Sequence, residues 1–268
     1  MNLDFLNEIL PLWATCTFPH GIAMLKTRQT LPTNPHSVLV AAFPYQLPKA
    51  YYANRNIARY AVVQDYHQVV AARLQQACAV LQKYFPLDEF MHYCDHSPLP
   101  EVALAEHAGL GMRGRHNLLI TEKYGSWVVL GEIVTSAALP TMRNAQDAKL
   151  NCDNCGLCIK ACPADVLGHL QFDRTKCLSY ISQRKEQPSA HAAEQLRAMH
   201  SVWGCDICQQ VCPHNRQATI NPLPEFLLDT VAQLSPHTPT DNRTYAWRGQ
   251  KILNRNIELL HEQALEHD

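Results

Sequence analysis

The chain has 268 residues, a formal net charge of -1 and 11 cysteines, with 47% apolar and 18% charged residues. That composition fits a globular protein with a real core and excludes a disordered chain, a collagen and a coiled coil. No apolar run approaches the ~20 residues of a membrane span. The first twelve residues carry Asp4 and Glu8 but no Lys or Arg, so a cytoplasmic protein without a secretory signal is expected. The near-neutral charge also lacks the basic footprint of a dedicated nucleic-acid binder.

In chain order, Leu3, Leu6, Ile9 and Leu10 predict a short helix followed by an extended piece. Residues 36–45 form a continuous apolar run, as in a strand buried on both faces. Residues 65–85 predict a long helix, with Val69, Val70, Leu74, Cys78 and Leu81 at helical spacing and Asp65 as N-cap. A strand at 89–95 ends in the turn HSPLP, and a helix over 100–108 starts with Pro in its first turn. Two more strands, 117–121 and 127–135, are joined by the turn at 122–126. Strands alternating with helices predict an α/β or α+β domain over residues 1–140. A polar seam follows at 139–150, then a cysteine-rich segment, and a tail punctuated by Pro from Pro222 to Pro239 that ends in a helix at 251–264.

Eight of the cysteines lie between Cys152 and Cys212. Cys152, Cys155, Cys158 and Cys162, followed by Pro163, form C-x2-C-x2-C-x3-C-P, the run of bacterial two-cluster ferredoxins, in which the fourth Cys serves the other cluster. Three thiolates on a tight loop wrap one face of an iron–sulfur cube; the fourth, one helical turn on, points to a neighbouring cube. The pattern repeats as Cys177, then Cys205, Cys208 and Cys212 before Pro213, with a long insertion after its first ligand. Crossed ligation assigns Cys152, Cys155, Cys158 and Cys212 to one 4Fe–4S cluster and Cys162, Cys177, Cys205 and Cys208 to the other. Zinc sites close on paired C-x2-C units, a different pattern. In a cytosolic chain such a cluster of cysteines signals metal or redox chemistry rather than disulfides. Cys16, Cys78 and Cys94 have no such spacing and read as free thiols.

Residues 109–114, GLGMRG, satisfy G-x-G-x-x-G, but a dinucleotide site needs a strand before and a helix after. Here a predicted helix precedes and a predicted strand follows, so a glycine-rich connection is expected.

Several segments together resemble one family. They are IARY (57–60) with DYH (65–67), DHSPLPE (95–101), AGLGMRGRHNLLI (108–120), GSWVVLGEI (125–133), the two ferredoxin motifs, and WRG (247–249) with Arg255 and Asn256. In this order they resemble the epoxyqueuosine reductases. The resemblance implies an α/β (α+β) cobalamin-binding domain at 1–140, a ferredoxin-like domain with two 4Fe–4S clusters at 141–218, and a short helical tail at 219–268. It implies a cobalamin-dependent reductase that converts epoxyqueuosine to queuosine in tRNA, with tRNA as substrate, an external electron donor and no membrane.

By the same resemblance Asp95 is the proton donor. His116, Asn117 and Ser126 contact the cofactor, the backbone around Leu119 and Leu130 lines the corrin, and Ser179 and Asp206 approach it from the cluster side. Removing an epoxide oxygen as water consumes protons, and an acid beside an apolar corrin stays protonated near neutrality. Asp95 also fits a plain turn-capping role ahead of Ser97 and Pro98. The chain departs from the family at Met112, Arg113 and Arg115, and it stops after the first helix of the region that holds tRNA in longer members. Arg184 and Lys185 are candidates for RNA contact or an ordinary solvated loop. Two other functions stay open: a related cobalamin and iron–sulfur reductase of another substrate, and a two-cluster electron-transfer protein without a corrin.

Overall fold

The computed structural model describes residues 2–25, 27–142, 152–169, 171–220 and 222–261. Most of the polar seam and the end of the predicted terminal helix lie outside them. The chain forms two compact units. The first comprises Met1–Pro44, His67–Asp153 and Gln217–Thr219; the second comprises Tyr45–Tyr66, Asn154–Arg216 and Ile220–Asp268.

The first unit is built on an antiparallel sheet of four strands in the order β1-β2-β6-β3. These are β1 (Trp13–Thr17), β2 (Ser37–Pro44), β3 (Phe90–Tyr93) and β6 (Val128–Thr135). Every residue of β2 is buried, as its unbroken apolar run predicts. Helix α1 (Tyr66–Tyr84) lies close to its expected bounds. It packs on β6 where Gly131 leaves room: a Cβ there would meet Val70 Cγ1 at 2.7 Å and Leu74 Cδ1 at 2.8 Å. Helix α2 (Glu101–His107) begins one residue after Pro100, which caps it. The two strands predicted after it do not pair with each other. β5 (Leu119–Ile120) pairs instead with β4 (Met112–Arg113) in a separate ribbon, while β6 enters the centre of the main sheet. The opening segment is a single 3-10 turn, Asp4–Glu8, and the extended piece after it is β1.

One apolar cluster fills one face of this sheet. It joins Val38, Val40 and Ala42 of β2, Tyr93, Leu99, Leu104, Leu110, Leu119, Leu130 and Val134. At ~25 cal/mol per Å² of apolar surface removed from water, such burial is the main force holding the unit together.

The second unit holds short helices: α3 (Leu157–Ala161), α4 (Leu178–Ile181), α5 (Ala190–Ala198), α6 (Ile207–Gln210), α7 (Glu225–Leu228) and α8 (Gln250–His261). α3 packs on α6, α4 on α5, and α5 on α8. Residues 45–66 join this unit through an extended contact: Ile57 bridges Trp203 in parallel, and Ala58 N–H donates to the Trp203 carbonyl at 2.7 Å. No helix among the described residues is long and apolar enough to cross a membrane.

Candidate functional site

In the first unit, Asp95 sits two residues beyond β3 with φ of +63°, a left-handed conformation that Asp and Asn tolerate better than most side chains. Its Oδ2 lies 2.8 Å from His67 Nε2 on the first turn of α1. Its backbone N–H donates to Glu101 Oε1 at 2.9 Å. The side chain is 39% exposed, so it is held in place yet open to solvent.

Behind it the acids go deeper. Glu101 is half-buried. Its pKa is pushed up to about 8, first by burial and next by the charge of Asp95, while the Asp95 N–H and His67 pull it back. Glu132, 0% exposed, lies in β6 opposite Val40 and Tyr93. Burial, then Glu101, hold its carboxyl well above the usual range. Ser97 donates its hydroxyl to Glu132 Oε1 and accepts the Leu99 N–H at 2.9 Å. The predicted turn HSPLP is therefore pinned to the central strand.

The remaining expected contacts of this unit lie between α2 and the middle of β6. His116 is buried, and its ring packs over Gly114, where a Cβ would meet His116 Cε1 at 2.7 Å. Asn117 has φ of +65° and accepts a hydrogen bond from Arg113 at 2.7 Å. Ser126 is buried, and Leu119 and Leu130 share the apolar cluster with Tyr93 and Leu99. The glycine-rich stretch is a helix-to-ribbon connection, with α2 before it and β4 and β5 following. Gly111 is required there, since a Cβ would stand 2.4 Å from the Ile120 carbonyl oxygen. β3 pairs with β6 only as far as Tyr93 and Glu132. On the β3 side, no strand among the described residues pairs with the β6 backbone from Val128 to Gly131.

In the second unit, Cys158, Cys162, Cys177 and Cys208 share one apolar cluster with Val166 and Leu167. Cys205 packs beside Leu178 in the adjoining one. Burial pushes the Cys205 thiol up to about 12, and Asp206, Cys177 and Cys162 push the same way. Cys208 is raised by burial and then by Cys205, Cys177, Asp206 and Cys162. The four cysteines expected to share a cube therefore lie within electrostatic reach of one another. Cys177 receives N–H groups from Ser179 and Tyr180, and Cys205 receives that of Ile207. Bonds of this kind to a ligating sulfur stabilise thiolate charge and tune cluster potential. Cys158 and Cys212 are buried, Cys152 half-buried and Cys155 exposed.

Among the described residues no three of His, Cys, Asp and Glu converge tightly enough to hold a single metal ion; a four-iron cube takes one thiolate per corner. Ser179 is half-buried and its carbonyl accepts the Ser182 hydroxyl at 3.0 Å. Asp206 is buried, pairs with Arg55 at 3.2 Å and accepts the Arg59 N–H at 2.9 Å. Arg255 and Asn256, noted only as a motif, turn out to be clamps. Asn256 donates to the Ser182 and Val202 carbonyls, each at 2.7 Å. Arg255 donates to the carbonyls of Arg184 and Glu186 at 2.8 and 2.7 Å.

Residues 151–215 match the family model of the 4Fe-4S double cluster binding domain. The chain is thus an iron–sulfur protein in which a double-cluster module is joined to an α+β unit. Residues 26–95 match the model described as epoxyqueuosine reductase QueG, DUF1730. Epoxyqueuosine reductase of Listeria monocytogenes is 34% identical over 73% of this chain and 54% of its own length. That of Synechocystis is 36% identical over 71% of this chain and 66% of its own. The chain belongs to the epoxyqueuosine reductase family, and it spans between about half and two thirds of the length of these relatives.

Among solved structures, an epoxyqueuosine reductase with a tRNA-Tyr epoxyqueuosine-modified stem loop matches with a TM-score of 0.79 at 22% identity, over 97% of this chain and 79% of that one. A reductive dehalogenase described in terms of B12-dependent dehalogenation matches with a TM-score of 0.52 at 14% identity, over 94% of this chain and 34% of that one. At these identities the likeness is one of fold.

Proposed function

We propose that this protein is an iron–sulfur and cobalamin-dependent reductase that converts epoxyqueuosine to queuosine in tRNA, in the cytoplasm. The observation that carries the reading is Asp95. A left-handed turn presents its exposed carboxyl, while His67 and Glu101 hold it from two sides. Residues 1–140 supply the corrin-binding and proton-donating part, 141–218 the two clusters, and 219–268 the tail.

Cys152, Cys155, Cys158 and Cys212 hold one cube, and Cys162, Cys177, Cys205 and Cys208 the other. The packing of α3 on α6, which carry Cys158 and Cys208, supports this crossed arrangement. The side of β6 around Leu130 that β3 leaves unpaired fits a flat, largely apolar macrocycle, as do the buried Leu119, His116 and Ser126 and the left-handed turn at Asn117. Ser179 and Asp206 belong to the cluster-side contacts. Cobalamin held by these residues would supply low-potential reducing chemistry for the substrate. Asp95 donates a proton to the departing epoxide oxygen. His67 orients that carboxyl, and Glu101 fixes the backbone that carries it.

The test is anaerobic reconstitution of the chain with iron, sulfide and cobalamin, followed by assay on an epoxyqueuosine-containing tRNA stem loop with a ferredoxin-type electron donor. Two clusters, bound cobalamin and queuosine formation are expected. Two clusters without cobalamin uptake would leave an electron-transfer protein. Cobalamin uptake without queuosine formation would leave a reductase of another substrate.

A further inference from the structure

Glu132 is a carboxyl in the middle of a sheet. Among the described residues its Oε2 has no hydrogen-bond partner, and its Oε1 is held by Ser97. The titratable groups facing it are Tyr93 across the strand pair and Glu101 from α2. Those facing Glu101 are Asp95, His67 and Glu132. The Arg113 guanidinium donates to Asn117 Oδ1 instead. Among the described residues no Lys or Arg is a cause of either glutamate's shift. A buried carboxyl without a cation stays neutral, because the charged form loses its hydration for nothing. Three acids therefore run from the core to the surface: Glu132 at 0% exposure, Glu101 half-buried, Asp95 at 39%.

Epoxide deoxygenation needs more than one proton. The two C–O bonds break, a C=C bond forms, and the oxygen leaves as water, taking two electrons and two protons. The electrons come singly from the reduced iron–sulfur donor. Asp95 holds one proton. We propose that Glu101 and Glu132 are the internal proton store that refills Asp95, Glu101 directly and Glu132 behind it from the core. In each refill the Glu101 O–H bond breaks, its proton passes to the Asp95 carboxylate, and Glu101 is left ionised until it is reprotonated from Glu132 or solvent. Both glutamates act through Asp95 and need not touch substrate. This inference rests on the functional reading above.

The test compares wild type, Glu101→Gln, Glu132→Gln and Asp95→Asn as fully reconstituted protein acting on the epoxyqueuosine stem loop. Glutamine keeps an oxygen for the Asp95 N–H and for Ser97, so iron and cobalamin content should hold while the proton is lost. Glu101→Gln should lower kcat about tenfold or more, leave KM unchanged and remove the alkaline limb of the kcat–pH profile near pH 8. Glu132→Gln should give a smaller loss of kcat that grows with pH. Infrared difference spectra should show a protonated carboxyl at pH 7 that Glu132→Gln abolishes. Turnover by wild type with an unchanged profile in Glu101→Gln overturns the inference alone, as does absence of the protonated carboxyl. No turnover by loaded wild type overturns the functional reading, and this use of the protons falls with it.

Discussion

His67 Nε2 and Asp95 Oδ2 stand 2.8 Å apart across 28 residues of chain, one on the first turn of α1 and the other just past β3. The contact ties the loop that bears the carboxyl to the longest helix of its unit, and both side chains are about one-third exposed. His67→Phe removes the polar partner and keeps the ring. Iron content and apparent Tm should hold, while kcat falls about tenfold, the equivalent of ~1.4 kcal/mol of barrier. Unchanged kcat would show that Asp95 needs no orienting partner.

Asp95→Asn keeps the left-handed turn, since Asn tolerates positive φ as Asp does, and it removes the acidic proton. Turnover should fall by roughly 10²–10⁴, the usual contribution of a general acid. Iron and cobalamin binding should persist. Wild-type turnover would remove Asp95 from the chemistry.

Crossed ligation is testable cysteine by cysteine. Cys158→Ala and Cys212→Ala should abolish the same cluster, although 54 residues of sequence separate them, and Cys162→Ala should abolish the other. Iron analysis with EPR of the reduced protein distinguishes the cubes. If Cys158→Ala and Cys162→Ala remove the same signal, the crossing is wrong.

Which parts were legible follows from the range of the signals. The β2 strand and α1 were readable because burial writes an apolar run or a 3.6-residue period into local sequence. The cluster cysteines were readable because ligand spacing is local too. The partner of β5 was not, since a two-residue strand such as β4 carries no period at all. Nor was the joining of residues 45–66 to the cysteine-rich unit, which rests on hydrogen bonds such as Ala58 to Trp203 across 145 residues. The opening segment reads as a helix but is a single 3-10 turn, and the extended piece expected after it is β1. Asp95 was found by its motif, but Glu132 was not singled out: its strand reads as apolar, and one acid within it gives no sign of facing Ser97.

Stability should depend on pH through Glu101. Its folded pKa of about 8 lies above the ordinary value of 4.5, so the folded state holds more protons than the unfolded state between these values. Stability then falls as pH rises through that window. Glu101→Gln removes the dependence: the apparent Tm of the variant should match wild type near pH 4.5 and exceed it increasingly towards pH 8. A constant offset across that range would show that Glu101 does not titrate in the fold as described.

Asn256 is 1% exposed and spends both amide hydrogens on buried carbonyls, Ser182 beside α4 and Val202 beside the Trp203 bridge. Its own Oδ1 accepts from Arg255 Nε and Nη2 at 3.0 and 2.8 Å. Asn256→Ala strands two carbonyls and part of a guanidinium, each costing about 1–3 kcal/mol when left unsatisfied in the interior. The expected loss is therefore a few kcal/mol, on the scale of a whole domain's marginal stability. Because Ser182 also donates through its side chain to the Ser179 carbonyl and accepts the Gly204 N–H at 2.9 Å, the damage should reach the loop holding Cys205. Faster loss of cluster absorbance on mild heating or in dilute denaturant is the measurement. Asn256→Asp, which keeps the acceptor for Arg255 but donates nothing, should fall between wild type and alanine if Arg255 contributes independently, and should match alanine if the two carbonyls carry the whole effect.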